Sequence, residues 1–405
     1  MIYKDICVIG LGYIGLPTAA LLASKKYNVR GVDIDSNVVN TINKGEIHII
    51  EPDLNDCVSK VVGSGHLKAY LEPQISDIYI ICVPTPFYEE KEVPEPNIEF
   101  VIQAVRNISN VIKNGDTIIL ESTSPVGTTD KISKILEELE VDNINLAYCP
   151  ERVLPGNIMQ ELVSNDRVVG GINKHSTDLV ATFLETFVDG DVIKTDAKTA
   201  EMCKLVENSF RDVNIAFANE LSIICENEGI NTWEVISIAN RHPRVNILKP
   251  GPGVGGHCIA VDPWFIVSRD EKNAKLIKTA RQVNNYKTEW VINKIESAIL
   301  DISNKLETKP KLAFLGLSFK PDIDDLRESP AMKIVEVFKN DGYDFMVSEP
   351  NILSHNKFSL LPYQEAIKCS DIVVILVKHK EFLNLNPSSL KNKTIMDFCG
   401  VSEKL

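Results

Sequence analysis

Residues 250–262, Pro-Gly-Pro-Gly-Val-Gly-Gly-His-Cys-Ile-Ala-Val-Asp, are where the chain is best equipped for chemistry. Glycine lacks a Cβ, so Gly253, Gly255 and Gly256 let the backbone take positive φ and let a ligand lie against it, while Pro250 and Pro252 stiffen the approach. The loop presents Cys258, with His257 before it and Asp262 four residues after, a spacing that suits a thiol nucleophile with a carboxylate close by. The alternative is a tight turn whose cysteine packs inside.

A second set of reactive side chains lies earlier. From about Ala197 the chain runs without proline or glycine until Gly229, which predicts one long helix. Lys204 and Asn208, spaced by four, then project from one face a turn apart, with Asp212 next in the series. Such spacing means either a solvated polar stripe or a catalytic cation beside an amide donor. At 149–156, Cys-Pro-Glu-Arg-Val-Leu-Pro-Gly follows a strand at 145–148 and offers the Glu151 carboxylate and the Arg152 guanidinium, which an ordinary loop ion pair would also explain. Arg241-His-Pro-Arg244 places His242 and two arginines shortly before the cysteine loop. An arginine there either supplies a planar fork to a diphosphate-linked ligand or pairs with an acid of its own subunit.

These groups need elements to hold them. Residues 6–9 form a buried strand that runs into Gly10-Leu-Gly12-Tyr-Ile-Gly15 and an apolar helix. Gly10 permits the turn, Gly12 lets a pyrophosphate approach the backbone, Gly15 allows close helix packing, and the helix N-terminus faces the phosphates. Asp33 ends a second strand at the interval expected for an acid that accepts from an adenosine ribose, and it would repel a 2′-phosphate, so NAD is favoured over NADP. Strands at 78–83 and 117–120 end in Pro84-Thr85-Pro86 and Glu121-Ser122-Thr123. Ligands bind at the carboxyl ends of such strands, which puts Thr85 and Thr123 on the cofactor cleft.

The long helix, roughly 45 Å at the usual rise, is expected to be the spine between two domains, with Leu205, Val206, Phe210, Ile215, Phe217 and Leu221 marking packing faces. A second helix at about 273–302 carries Trp290, Val291, Ile295 and Ile299, for packing within the domain or against another subunit. After Glu307-Thr-Lys-Pro310, strands at 311–315, 344–348, 372–377 and 394–397 and a helix after Ser329-Pro330 build a second nucleotide-fold-like half. Its first turn, Gly316-Leu-Ser-Phe-Lys320, lacks the three-glycine set, so it is expected to bind a nucleotide other than a second dinucleotide cofactor. The fold class is therefore α/β: two Rossmann-like doubly wound parallel-sheet domains, at 1–196 and 306–405, joined by a long-helix α-helical middle domain at 197–305.

Composition agrees with a soluble multi-domain protein. The chain has 405 residues, 44% of them hydrophobic, and a formal charge of −13 that argues against nucleic acid or an anionic membrane as the main partner. No apolar stretch reaches the roughly 18 residues that span a bilayer, which makes the cytoplasm the expected location. The nine cysteines include no Cys-x-x-Cys pair and mostly sit in apolar runs, so neither a disulfide framework nor a metal site is expected.

Together, an NAD fold, a nucleophilic cysteine, a lysine and an asparagine a turn apart, a nearby aspartate and a second nucleotide-type domain can perform a four-electron oxidation. A primary alcohol becomes an aldehyde, Cys258 traps it as a thiohemiacetal, a second oxidation gives a thioester, and water releases the acid. Lys204 supplies positive charge where an oxyanion develops, Asn208 donates to the same oxygen, and Asp262 or Glu151 helps activate water.

The motifs Gly10-x-Gly12-x-x-Gly15, Lys204-x-x-x-Asn208, Gly255-Gly256-His257-Cys258 and Phe319-Lys320 with Arg327-Glu-Ser-Pro330 resemble, in order and over essentially the whole chain, the nucleotide-sugar 6-dehydrogenase family, the UDP-glucose and GDP-mannose dehydrogenases. The resemblance implies Cys258 as nucleophile, Lys204, Asn208 and Asp262 as the oxyanion and water group, and Thr123 and Glu151 in the water network. It implies Gly10, Gly12, Tyr13, Ile14, Gly15, Asp33, Thr85, Thr123 and Arg327 around NAD, and Phe319 and Lys320 at the nucleotide-sugar. Arg152, Val153, Lys204, Asn208, Arg211, His242, Arg244 and Gly255 complete the expected substrate contacts.

Three departures bear on the substrate. Val261 stands where UDP-glucose enzymes carry a lysine before the aspartate, Pro155 where they carry a second acid, and Cys399 where many members place a base. UDP-glucose is disfavoured, and the stretches 241–247 and 253–264 most resemble the group that oxidises UDP-N-acetylmannosamine. UDP-N-acetylglucosamine or another nucleotide-sugar remains an alternative. So does a two-electron β-hydroxyacid-type dehydrogenase, which shares the NAD fold and the Lys-x-x-x-Asn helix, and a non-catalytic nucleotide-sugar sensor. The assembly is expected to be a homodimer, or a dimer of dimers, with active sites shared between subunits.

Overall fold

The computed structural model describes residues 4–88 and 93–401. The chain divides into two compact units: Met1–Glu207 with Trp264–Ser268, and Asn208–Pro263 with Arg269–Leu405.

The first unit is built on an eight-stranded sheet. Its strands are β1 (Asp5–Ile9), β2 (Asn28–Val32), β3 (Leu67–Tyr70), β4 (Ile78–Ile81), β7 (Thr117–Leu120), β8 (Asn145–Tyr148), β9 (Arg167–Gly171) and β10 (Val192–Asp196). Between β4 and β7, β5 (Phe87–Tyr88) and β6 (Glu95–Pro96) pair as a small antiparallel ribbon. The sheet order is β10-β9-β8-β7-β4-β1-β2-β3. β4 and β7 are buried at every position, as expected for central parallel strands covered by helices on both faces. Two apolar cores follow, one centred on Leu16, Leu22 and Val58, the other on Val105, Leu120 and Ile132.

Strands β1, β2, β4, β7 and β8 lie where the sequence predicts them, whereas β3, β5, β6, β9 and β10 have no counterpart in that expectation. The expected parallel sheet also differs at one edge. In the structure β9 runs antiparallel to β8 and β10 runs parallel to β9, so this edge of the sheet is reversed.

In the second unit β11 (Leu312–Leu315), β12 (Phe345–Ser348), β13 (Ile372–Ile375) and β14 (Thr394–Asp397) form a parallel sheet in the order β12-β11-β13-β14. Ser329 caps the Pro330–Asn340 helix by accepting from the Met332 N–H, and Pro330 tolerates the first turn because that N–H would be unsatisfied anyway. Trp290, Val291, Ile295 and Ile299 of the Lys275–Leu306 helix are buried in one core with Phe314, Ile334 and Val374, so they pack within the unit.

The Ala197–Asn227 helix runs unbroken and ends where Gly229, at φ +68°, turns the chain and lets the Ile230 N–H reach the Cys225 carbonyl at 2.8 Å. Its apolar positions do not all face a core. Leu205 is buried, but Val206, Phe210 and Phe217 are largely exposed, because a helix of this length carries two apolar faces and the chain itself covers one. The helices are also joined by a buried polar chain. Arg281 Nη1 lies 2.6 Å from Asp212 Oδ1, Asn284 Nδ2 donates to the same oxygen at 2.8 Å, Asn219 Nδ2 donates to Asn284 Oδ1, and the Gly251 N–H donates to Asn219 Oδ1 at 2.9 Å. Among the described residues no helix is long and apolar enough to cross a membrane.

Removing one partner of a buried ion pair leaves an uncompensated charge. Asp212→Ala should therefore lower the unfolding free energy by about 3–5 kcal/mol, and Asp212→Leu combined with Arg281→Met should recover most of it. Urea unfolding followed by tryptophan fluorescence checks this, and a loss below about 1 kcal/mol for the single variant would show that the pair is not a structural tie.

Candidate active site

The glycine turn after β1 meets each steric demand of a dinucleotide loop. Gly10 sits at φ +88° with its N–H on the Val32 carbonyl at 2.8 Å, and a Cβ there would fall 2.5 Å from the Cys82 carbonyl oxygen. A Cβ on Gly15 would lie 1.7 Å from the Gly10 carbonyl oxygen, whereas one on Gly12 would meet nothing within 4 Å. Gly15 thus lets helix and turn close, and Gly12 leaves its backbone open to an approaching pyrophosphate. The Gly15–Ser24 helix begins at Ile14, which cannot cap it, and has no acid in its first turn. Its positive end is thus left for an anion. Asp33 Oδ2 accepts from the Leu11 N–H at 3.0 Å and Oδ1 from the Asp35 N–H at 2.9 Å, so the carboxylate that the sequence pattern suggests for the ribose ties β2 to the glycine turn. The residues present fit NAD. Tyr13 and Ile14 are half-buried in this turn, and Thr85 and Thr123 stand half-buried beyond β4 and β7.

Behind those strand ends lies a polar cluster that sequence reasoning missed. Glu121 and Arg167 form a buried ion pair at 2.5 Å, and the Cys82 thiol donates to Glu121 at 3.2 Å. Burial pushes the Cys82 and Cys149 thiols up, so both are inert packing cysteines. Glu121 stands two positions before Thr123, and Cys149, which Arg167 Nη2 reaches at 3.6 Å, two before Glu151. The pair thus fixes both turns that carry catalytic candidates. Glu201 does similar work from the long helix, accepting from the Gly127 and Thr129 N–H groups and the Thr129 hydroxyl at 2.6–2.8 Å. The one available signal for Glu201 was its place a turn before Lys204.

Lys204 and Glu151 meet. Nζ donates to Oε1 and to the backbone carbonyl of Glu151, both at 2.8 Å, and the pair is buried. Burial alone would raise the Glu151 pKa, but Lys204, the Val153 N–H and Arg167 outweigh it and hold the carboxyl below its ordinary range. Arg152 is committed to Glu207 at 2.7 Å and to the Asp166 carbonyl, an ion pair of the kind the sequence left open. Val153 and Pro155 are half-buried, and Glu51 holds the following turn by accepting from the Gly156 and Ile158 N–H groups.

In the second unit the cysteine loop is locked by contact rather than by its own sequence. A Cβ on Gly255 would lie 2.5 Å from the Glu328 carbonyl oxygen and 2.8 Å from Phe319 Cβ, and one on Gly256 would lie 2.9 Å from the Phe319 ring. The Gly256 N–H also donates to the Arg327 carbonyl, and the Thr288 hydroxyl to the Pro252 carbonyl. Cys258 is half-buried, its carbonyl accepting from the Asp262 N–H at 2.8 Å. Asn208 Nδ2 donates to Asp262 Oδ2 at 2.5 Å. Asn208, Asp262 and Cys258 therefore form one connected group.

Arg327 is exposed and forked onto Asp325, with Nη2 at 2.6 Å. Arg211 is exposed, and so are His242 and Arg244, in a turn clamped at both ends by the Asn240 side chain and the Ile247 backbone. Lys320 is half-buried, its carbonyl accepting from the Ser318 hydroxyl. None of the nine cysteines is joined in a disulfide.

The Lys204–Glu151 pair has a signature in pH. Glu151 has a depressed folded-state pKa, so its contribution to stability is fully present above the unfolded value of 4.5 and is lost as the pH falls through the lower folded value. The stability difference between wild type and Glu151→Gln, measured by urea unfolding, should be level above about pH 5 and shrink toward zero in stronger acid. A difference that grows on acidification would contradict the pairing.

Three family models match the chain. Residues 4–188 match the NAD binding domain of the UDP-glucose/GDP-mannose dehydrogenase family, residues 198–286 its central domain, and residues 313–404 its UDP binding domain. The UDP-N-acetyl-D-mannosamine dehydrogenase of Yersinia pestis is 49% identical over 99% of this chain and 100% of that protein. The NDP-N-acetyl-D-galactosaminuronic acid dehydrogenase of Ralstonia nicotianae is 48% identical over 98% of this chain and 96% of that protein. The solved UDP-N-acetyl-mannosamine dehydrogenase of Staphylococcus aureus is 41% identical, covers 98% of this chain and 95% of its own, and superposes with a TM-score of 0.88. These matches take in most of the chain, and the chain belongs to the UDP-glucose/GDP-mannose dehydrogenase family of NAD-dependent nucleotide-sugar oxidoreductases.

Proposed function

We propose that the protein oxidises the C6 hydroxymethyl of UDP-N-acetyl-D-mannosamine to the carboxylate, giving UDP-N-acetyl-D-mannosaminuronate in the cytoplasm as a precursor for polysaccharide or glycan synthesis. The observation that carries this reading is the connected group of Cys258, Asp262 and Asn208 in a loop that no side chain larger than hydrogen could line at Gly255 and Gly256. The names of the Yersinia and Staphylococcus relatives support this sugar, and that of the Ralstonia relative keeps a second N-acetylhexosamine open. The division into domains at 1–196, 197–305 and 306–405 is part of the proposal.

Bound at the glycine turn and Asp33, with Tyr13, Ile14, Thr85, Thr123 and Arg327 assigned to it, NAD supplies the acceptor for each two-electron oxidation. The chain's own groups do the rest. As the C6 alcohol is oxidised, Lys204 offsets the negative charge that gathers on its oxygen, and Asn208 donates to the same atom. The Cys258 thiolate adds to the aldehyde carbon, forming a C–S bond and placing the carbonyl pair on oxygen. Oxidation of this thiohemiacetal gives the thioester. Water, its proton taken by Asp262 or Glu151 with Thr123 in the same network, attacks the acyl carbon, and the thiolate leaves. Phe319, Lys320, Arg152, Val153, Arg211 and Gly255 are assigned to the nucleotide-sugar.

A panel of UDP- and GDP-sugars tests the reaction. Two NADH should form per substrate, and UDP-N-acetylmannosamine should exceed UDP-glucose in kcat/KM by about tenfold, roughly 1.4 kcal/mol of transition-state binding. Cys258→Ala should make no acid yet keep NAD binding. One NADH with an aldehyde or ketone product would favour the two-electron alternative, NAD and ligand binding without turnover the sensor, and equal turnover of UDP-glucose would reject the sugar assignment.

The same reading includes a homodimer, or a dimer of dimers, in which His242 and Arg244 complete the neighbour's site. Phe210, Phe217 and Ile224 recur every seven residues along one helix and are 71%, 57% and 52% exposed, an apolar stripe suited to a two-fold contact. Subunit mixing decides it. Arg244→Ala and Cys258→Ala homodimers should each be nearly inactive, and after random exchange about a quarter of all sites should recover, since a mixed dimer holds one site with both groups intact. Proven exchange without recovered activity would rule out shared sites.

A further inference from the structure

The turn after β11 carries Phe319 and Lys320, and two buried side chains that the reaction does not use grip it at both ends. Glu349, which follows β12 and is 4% exposed, accepts from the Leu317 and Ser318 N–H groups through Oε2 at 2.7 and 3.1 Å. His379, beyond β13 and fully buried at 0% exposure, has Nε2 3.0 Å from that same oxygen. The Asp322 N–H reaches His379 Nδ1 at 3.0 Å. A backbone amide can only donate, so Nδ1 carries the lone pair, the proton sits on Nε2, and Nε2 donates to Glu349. Asn351 Nδ2, 2.9 Å from Nδ1 and 3.2 Å from Glu349 Oε1, closes the group.

What His379 holds is a costly conformation. Asp322 lies at φ +61°, in the left-handed region that residues with a Cβ seldom occupy. It is kept there by the imidazole acceptor and by its own Oδ1, which accepts from the Lys380 N–H at 2.9 Å. The turn is further tied by the Ser318 hydroxyl on the Lys320 carbonyl at 2.7 Å. With both ends fixed, Phe319 is set against Gly255 and Gly256 and Lys320 at a defined point beside it. Asp322, His379 and Glu381 do bring ligand atoms within 4.8 Å of one another, but both imidazole nitrogens already have protein partners, which is the geometry of a strut and not of a metal site.

We propose that His379, anchored by Glu349, is a positioning residue for the UDP moiety of the substrate: its Nδ1 lone pair holds Asp322 in place and so presents Phe319 and Lys320 to the nucleotide. The inference rests on the nucleotide-sugar reading above. His379→Asn keeps an acceptor at the position of Nδ1, whereas His379→Gln reaches toward Glu349 and leaves the Asp322 N–H without an acceptor.

The test is UDP binding by calorimetry on the full-length protein, with KM measured separately for UDP-sugar and for NAD. His379→Gln should weaken UDP binding and raise the sugar KM by about tenfold while the NAD KM moves less than about twofold, and His379→Asn should restore both to within about threefold of wild type. Unchanged UDP binding in His379→Gln, or a parallel rise in both KM values, overturns the proposal. If His379→Gln does not fold, His379→Asn decides alone: a loss of UDP affinity beyond about tenfold with NAD binding intact overturns it, and near-wild-type affinity supports it. Wild-type protein that fails to bind UDP would instead overturn the nucleotide-sugar reading itself.

Discussion

Carboxylates that accept from pairs of backbone N–H groups hold the functional turns of this protein. Asp33 grips the glycine turn, Glu201 the turn after Thr123, Glu51 the turn after Glu151, and Glu349 the turn that carries Phe319. Turns cannot satisfy their own amides as helices and strands do, and an unpaired buried N–H costs about as much as a lost hydrogen bond. An ionised carboxylate answers two such donors at once through charge-assisted bonds, which are the stronger kind. Part of the acid excess evident in composition is therefore internal framework and not surface charge.

The cysteine loop obeys a different constraint. It is held mainly by exclusion, since Glu328, Phe319 and Pro330 occupy the space where Cβ atoms would stand on its glycines. Close approach of this kind is rigid because protein interiors have little slack. It makes the loop's shape a property of the nucleotide-fold half as much as of its own residues. The polar chain from Asp212 to Gly251 fixes the entry to the same loop, so its backbone is set before Cys258 begins.

Sequence showed those features whose cause is local. Glycine spacing, an acid at a strand end, a cysteine among glycines and a proline-free helix each have a meaning that depends on neighbours in the chain, and the turn at Gly10, the helix from Ala197 and the strands from 117 and 394 lie where that logic puts them. Strand direction is not local, and β9 and β10 are reversed with no change in residue pattern. Glu121, Glu349 and His379 carry no such local mark, because a buried polar side chain whose partners lie tens of residues away looks in sequence like any surface one. Val206, Phe210 and Phe217 mark packing faces in the sequence and are exposed in the chain, since periodicity tells which residues share a face but not what covers it.

The double use of Asp33 has a consequence for how this fold can change. The carboxylate proposed to discriminate against a 2′-phosphate is also the acceptor for the Leu11 amide in the glycine turn. Replacing it to admit the phosphorylated cofactor would strip an acceptor from the very loop that must receive the pyrophosphate. Cofactor choice and loop geometry are thus coupled through one side chain, and a lineage or an engineer that relaxes the first must rebuild the second with a new acceptor.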